Sequence, residues 1–425
     1  MPLLNNIVSS IKTGWANLNN DDNLTMLTFL SVTYIFLIFV NSSLISDAIS
    51  VGPITIFGSI MQASSLFTFL LAFSAFISLL IGSLFRNNYN RKVQIFSSLT
   101  GLLFGFLLYL PIPGVFGICL YSILAGFFSG FALANILAAF ISKTTFNNRG
   151  STSGIFVFMV YLILFVFTIL VSSLHELAII LVILKIFSLF LSLRIKDFRF
   201  NTESIEYTKT TNNTKSMFLI VWGIFLLSDV ALQTYFRYLE TIGIIPPQGL
   251  FSYSGLHMIS QIIGLFTILF GGILMDIYGR KKLMMFSFAY LGINYAIISS
   301  SRGILNYFTI LDGIAFGILT VLFLLVLWGD ICKPSNRAIW IALCIGLSIL
   351  SYPAIIIAPY IVNSLINITT SDLFPITSFF LFIAVVIILY LPETLPDKII
   401  QKKELDDYIK MAKKVKEKYR NESKG

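Results

Sequence analysis

The sequence predicts an all-α membrane protein: twelve transmembrane helices in two six-helix halves related by pseudo-symmetry. Three observations carry that expectation. Of the 425 residues, 57% are hydrophobic and 12% charged, with a mean hydropathy of +0.89, which is too little polarity to cover a soluble surface. Apolar windows of about 20 residues, the length that spans a hydrocarbon core, recur with short polar breaks between them. Landmarks in the first half of the chain also return in the second half at a near-constant distance.

The windows fall at 25–46, 58–84, 93–110, 115–141, 152–174, 177–194, 216–238, 254–275, 283–301, 304–328, 338–364 and 373–391. An even number of spans puts both termini on one side. The breaks after spans 2, 4, 6, 8 and 10 carry Arg86, Arg91, Lys92, Lys143, Arg149, Arg194, Lys196, Arg199, Lys209, Lys215, Arg280, Lys281, Lys282, Lys333 and Arg337. The opposite breaks offer little beyond Arg302 and Arg237. A bias of Lys and Arg toward the cytoplasmic loops then predicts a multi-pass protein of the cell membrane with both termini in the cytoplasm.

The chain divides accordingly. Residues 1–24 read as a cytoplasmic lead-in, without the basic start and small-residue cleavage site of a signal peptide. Residues 25–195 form the first half, the Thr- and Asn-rich segment 196–215 a flexible linker, and 216–391 the second half. A basic tail follows at 392–425, where Leu405, Tyr408, Ala412, Val415 and Tyr419 recur at helical spacing, as in a short amphipathic helix at the cytoplasmic membrane surface or a solvated charged helix with no partner.

The repeat is visible at four places. Asn41 and Asp229 lie 188 residues apart, as do Arg149 and Arg337. Ile123–Gly130 is mirrored by Ile310–Gly317 at 187 residues, and Gly82–Lys92 by Gly272–Lys281 at 189 to 190. Two copies of one design in parallel orientation account for this.

Composition also excludes several classes. Cys119, Cys332 and Cys344 lie in or beside apolar runs with no CxxC spacing, and two histidines, His175 and His257, are too few for a histidine metal site. No phosphate-binding GxxxxGK[ST] occurs. The +9 charge is used in turns and in the tail, so topology explains it and nucleic acid does not. No cofactor or metal is expected, and the lipid bilayer is the expected environment.

The turn Gly271–Lys282, reading GGILMDIYGRKK, gives the chain a family resemblance. It resembles the loop signature of the major facilitator superfamily, G-x-x-x-D-[RK]-x-G-[RK]-[RK], at Gly272, Asp276, Gly279, Arg280 and Lys281, with Ile277 in place of the usual base. Asp330 and Arg337, with Pro334 between them, resemble the family's acid seven residues before an Arg after span 10. Pro392-Glu393-Thr394 is similar to the P-E-T that follows span 12 in the sugar-porter branch. The first half departs from the pattern: Arg86 stands where the acid belongs, Asn90 where the glycine belongs, and Ser142 lies seven residues before Arg149.

The resemblance covers residues 24–396 and implies alternating access between two halves. It also implies a cytoplasmic gate of Gly272, Asp276, Gly279, Arg280, Lys281, Asp330 and Arg337, to which Arg91 and Arg149 of the first half add positive charge. An Arg beside a carboxylate can bond it in two places, and a carboxylate at a helix N-terminus gains from the macrodipole. The expected latch is Asp276, Arg280, Asp330 and Arg337.

Ionisable groups inside a span are costly and mark a pathway or a pair. Asp229, Gln233, Arg237 and Glu240 share one face of span 7. Asp312 precedes Gly313 and Gly317, whose spacing allows close helix approach. These residues, with Asn41 and Tyr34 of span 1 and Gln261 of span 8, are the candidate substrate and ion pathway, Asp229 and Asp312 being the candidate proton carriers. Tyr352-Pro353 and Pro359 predict a kinked span 11. Because span 6 is peripheral in the family, Lys185 is expected to snorkel or to find a local partner.

The function expected is secondary-active transport of a small solute by a monomer that is not an enzyme, with proton symport as the coupling to test. Export of hydrophobic compounds on the same fold is the alternative. From other classes come a polytopic membrane enzyme on lipid-linked substrates and a transporter-shaped sensor.

Overall fold

The computed structural model describes residues 2–20, 23–35, 54–56, 59–61, 63–85, 88–89, 94–101, 103, 114–170, 174–195, 198–199, 208, 210–241, 253–300, 305–361 and 373–396, and isolated tail positions between 401 and 415. Lipid offers the backbone no hydrogen bonds, so apolar segments of this length close their own as helices. The first helices are α1 (Pro2–Asn20), α2 (Asn23–Ile35), α3 (Ala63–Ser83), α4 (94–101) and α5 (Gly114–Ser142). Next come α6 (Arg149–Leu170), α7 (Leu174–Arg194), α8 (Asn212–Thr241), α9 (Tyr253–Tyr278) and α10 (Arg280–Ser300). The last are α11 (Leu305–Val321), α12 (Leu327–Ile331), α13 (Pro334–Ile361) and α14 (Leu373–Tyr390).

Among the described residues, nine helices are long and apolar enough to cross a membrane, with α11 and α12 counted as one. They fall in windows 2, 4, 5 and 7 to 12; α7 lies in window 6, and α2 and α4 cover the described parts of windows 1 and 3.

Several local features differ from expectation. The lead-in is largely the helix α1, because Ile7, Ile11 and Leu18 recur at helical spacing and Gly14 and Leu18 are buried. The linker is not free where it is described. Its Phe198 and Arg199 (β4) pair antiparallel with Asn88 and Tyr89 (β3). Thr208 donates its amide to the Asp330 carbonyl at 2.7 Å, and Asn212 already opens α8. A second ribbon pairs Ile54–Ile56 (β1) with Ser59–Met61 (β2). Between α11 and α12 one turn widens to a π-helix, Leu322–Val326.

The repeat persists at the level of single hydrogen bonds. α5 crosses α3 where Gly126 and Gly130 leave no room for a Cβ against Ser74 and Ser78, and the Ser78 hydroxyl, bonded to the Ala75 carbonyl at 2.8 Å, shares its proton with the Gly126 carbonyl at 3.4 Å. α11 crosses α9 in the same way: Gly313 and Gly317 meet the α9 backbone at Ser260 and Gly264, and Thr267 Oγ1 donates to the Gly313 carbonyl at 3.0 Å. Small residues let these backbones touch, and a hydroxyl then reaches the partner carbonyl.

The two halves meet along α6 with α9 and along α3 with α13. In the first seam Gly150 and Gly154 lie directly on Gly272, and in the second the Phe76 ring fills the space over Gly346. The four helix ends around Arg149, Tyr278, Arg280 and Ile331 converge beside the first seam and form the charged end of the bundle.

Candidate functional site

The charged end is built from helix termini. α9 ends at Tyr278, and Gly279 turns the chain with a φ of +96°, in the left-handed region that favours glycine. α10 then starts at Arg280. Its first amides, those of Arg280 and Lys281, donate to the Glu393 carboxylate at 3.1 Å each, so the segment after α14 caps α10. A Cβ at Gly279 would press on that carboxylate. Lys281 Nζ reaches the Leu389 carbonyl at 2.7 Å, a cation on the last turn of α14.

Asp276 works across the seam. Its carboxylate accepts the Gly150 amide at 2.9 Å and the Ser151 amide at 2.7 Å, and so caps α6 of the other half. The dipole of α6 favours that negative charge. Arg280 Nη2 donates to the same carboxylate at 3.0 Å.

Arg280 continues inward. Its Nε donates to Asp330 Oδ2 at 3.1 Å, Nη1 to the Met275 carbonyl at 2.8 Å, and Nη2 also to the Phe146 carbonyl at 3.0 Å. Asp330 is held on its other oxygen by Arg149 Nη1, and Thr394 Oγ1 adds a bond to Oδ2 at 3.2 Å. Arg149 is fixed by the Thr144 side chain and carbonyl and lies over the Phe146 ring, 4.9 Å from its centroid. All four ionic side chains are buried, Asp330 at 0%, Arg149 and Arg280 at 1% and Asp276 at 3% exposure. Two guanidiniums and two carboxylates are therefore paired in a buried interface joining the halves, where charge-assisted bonds are strong and an unpaired member is costly.

The ion-pair set differs from the expected latch in one member. Arg337 lies seven residues after Asp330 but donates to the Gly329 and Cys332 carbonyls, and its Nε and Nη1 have no partner among the described residues. Its repeat mate Arg149 takes the Asp330 carboxylate instead, because Gly329 leaves space where a Cβ would meet the Arg149 stem. Gly272 contributes to the seam and not to the charges. Arg91 and Asn41 lie outside the described residues, as do the side chains of Arg237, Glu240 and His257.

The pathway candidates separate into two places. Gln233 Nε2 donates to Asp229 Oδ2 at 2.9 Å on α8. Asp312 on α11 lies within electrostatic reach of Asp229, its Oδ1 shielded from solvent and without a hydrogen-bond partner among the described residues. Buried Asn294 Nδ2 on α10 is likewise unpartnered among them. Gln261 is exposed on α9. Tyr34 is elsewhere, fully buried in the first half, with the Lys185 ammonium 3.9 Å from its ring centroid. Lys185 does not snorkel: Gly101 opens a socket for its stem, and the Tyr34 ring is its local partner.

Sequence reasoning missed the Gly150 and Ser151 amides, Thr144, Phe146 and Gly329, whose roles depend on which turn meets which. Glu393 and Thr394, which resemble a branch motif in sequence, take part in the site through the α10 cap and the Asp330 carboxylate.

No family model matches the sequence, and no curated protein matches it. Solved structures do. A bacterial homologue of the iron transporter ferroportin in the outward-facing state is similar at a TM-score of 0.66 and 12% identity, covering 87% of this chain and 99% of that one. The same homologue with soaked iron gives 0.62 and 12%, covering 86% and 98%. The human organic anion transporter MFSD10 (TETRAN) gives 0.61 and 10%, covering 86% and 99%. The chain has the major facilitator superfamily fold. The likeness concerns the fold and does not reach the sugar-porter branch within it.

Proposed function

We propose that the chain is a secondary-active transporter that moves a small solute by alternating access, with the charged end toward the cytoplasm. The observation that carries this reading is the buried network of Asp276, Arg280, Asp330 and Arg149, which bonds the ends of the two halves together. A network of that kind suits a gate, since its members are satisfied only while the halves touch. The state described is then closed at the cytoplasmic end. The Lys- and Arg-rich breaks on that side support the orientation.

Coupling to protons is the second part of the proposal. Asp229 and Asp312 lie within electrostatic reach of each other in the second half, and a proton on one relieves that repulsion. The cargo is left at the level of a small solute. The iron and the organic anions named for the neighbours belong to those proteins, and export of hydrophobic compounds is the runner-up reading.

The test is flux in proteoliposomes, with and without a pH gradient, against a panel of metabolites and drugs. The wild type is expected to accumulate its solute when the pH gradient is imposed. The double variant Asp229→Asn, Asp312→Asn is expected to lose accumulation and keep counterflow. Retained accumulation in that variant would overturn proton coupling, and absence of any flux from the wild type would overturn transport in favour of a sensor or an enzyme.

A further inference from the structure

α1 has an apolar arc wider than its seat. On the side toward the bundle, Gly14 and Leu18 are buried and Ile7 and Ile11 half-buried. Gly14 lies so close to Ser151 and Ile155 of α6 that a Cβ would meet Ile155 Cδ1 at 2.8 Å. α1 also touches α9, so it rests across the seam beside the Asp276 cap. The arc does not stop at that contact. Val8 and Trp15, two turns apart and adjoining Ile11 on the helical wheel, are 44% and 52% exposed. Polar Ser9 and Thr13 are exposed farther round, with Lys12 between the two groups.

The height of α1 relative to the membrane is fixed by its neighbours. It ends at Asn20, and the apolar helix α2 starts at Asn23. Thr25 Oγ1 of α2 donates to the Leu18 carbonyl at 2.6 Å, tying the end of α1 to the first turn of α2. Its seat is the first two turns of α6, where another span begins. A helix held there lies beside the first turns of two apolar helices, with Trp and Val on one flank and hydroxyls on the other, an arrangement that suits the depth of the lipid headgroups. Trp is favoured at that depth, and a Lys beside it can extend to water.

We propose that α1 is an interfacial helix, its Val8 and Trp15 flank resting in the headgroup region of the bilayer while the Gly14 and Leu18 flank packs on α6. The occupant of the exposed apolar flank is lipid.

The test uses the full-length protein with Cys119→Ser as background, Cys332 and Cys344 being buried. Single spin labels are placed through Val8→Cys, Trp15→Cys, Ser9→Cys and Thr13→Cys, with the unsubstituted background measured alongside. After reconstitution into phosphatidylcholine and phosphatidylglycerol vesicles, collisions with oxygen, which concentrates in lipid, are compared with those of a water-soluble nickel chelate. Labels at 8 and 15 are expected to favour oxygen severalfold over those at 9 and 13. Equal chelate access at all four sites would overturn the proposal by placing α1 in water, and labels at 8 and 15 shielded from both reagents would overturn it by placing protein on that flank. Neither outcome depends on whether the chain transports a solute.

Discussion

At the residue scale, Asp330 has the most to lose. One carboxylate receives Arg149 from the first half, Arg280 from the second and the Thr394 hydroxyl after α14. Asp330→Asn leaves two buried guanidiniums short of charge, and breaking a buried pair of this kind costs on the order of 3 kcal/mol. Cys332, a free thiol buried at the same end, reports the outcome. Its maleimide labelling is expected to rise by about a hundredfold if the shift is fully expressed. Unchanged labelling would remove the gate role of Asp330. Gly279 is sensitive for a different reason. Gly279→Ala places a Cβ at a φ of +96° and against Glu393, which should lower stability by about 1–2 kcal/mol, measured as the unfolding midpoint in detergent.

At the scale of elements, the seam between α6 and α9 depends on glycine. A Cβ on Gly272 would meet the Gly150 carbonyl and the Gly154 backbone, neither of which can swing aside. Gly272→Val is therefore expected to hold the charged end ajar and speed Cys332 labelling. Gly223→Ala on α8, where nothing lies within 4 Å, should leave labelling unchanged. Equal labelling in the two variants would mean that the seam is not what closes this end. The existence of most elements was legible from apolar windows. α1 has no such window, because its apolar residues are few and interrupted by Gly14, and it gains its packing from α6. The π turn at Leu322–Val326 likewise has no signature in an evenly apolar run.

At the scale of the whole molecule, the repeat is a statement about packing. Ser78 on α3 and Thr267 on α9 lie 189 residues apart and turn their hydroxyls to the Gly126 and Gly313 carbonyls, themselves 187 apart, at 3.4 and 3.0 Å. Ser78→Ala and Thr267→Val should each cost about 0.6 kcal/mol, the usual scale for an interhelical hydrogen bond in a membrane. Comparison of unfolding midpoints checks this, and a twofold or greater difference would show that the two crossings are not equivalent. The charged end breaks the symmetry, because Arg149 and Arg337 are repeat mates with different work. Arg149 crosses to a carboxylate of the other half, whereas Arg337 is spent on nearby carbonyls.

The sequence by itself determined the membrane fold, the twofold repeat and the turn that carries Asp276, Gly279 and Arg280. Those follow from local quantities: apolar length, charge bias and residue spacing. Only the tertiary structure decided the pairing. That Asp276 caps α6, that Glu393 caps α10, that Asp330 goes to Arg149 and that Tyr34 faces Lys185 all depend on which helix ends and faces meet across tens or hundreds of residues. An ion pair has a short reach and no sequence period, so only packing selects it.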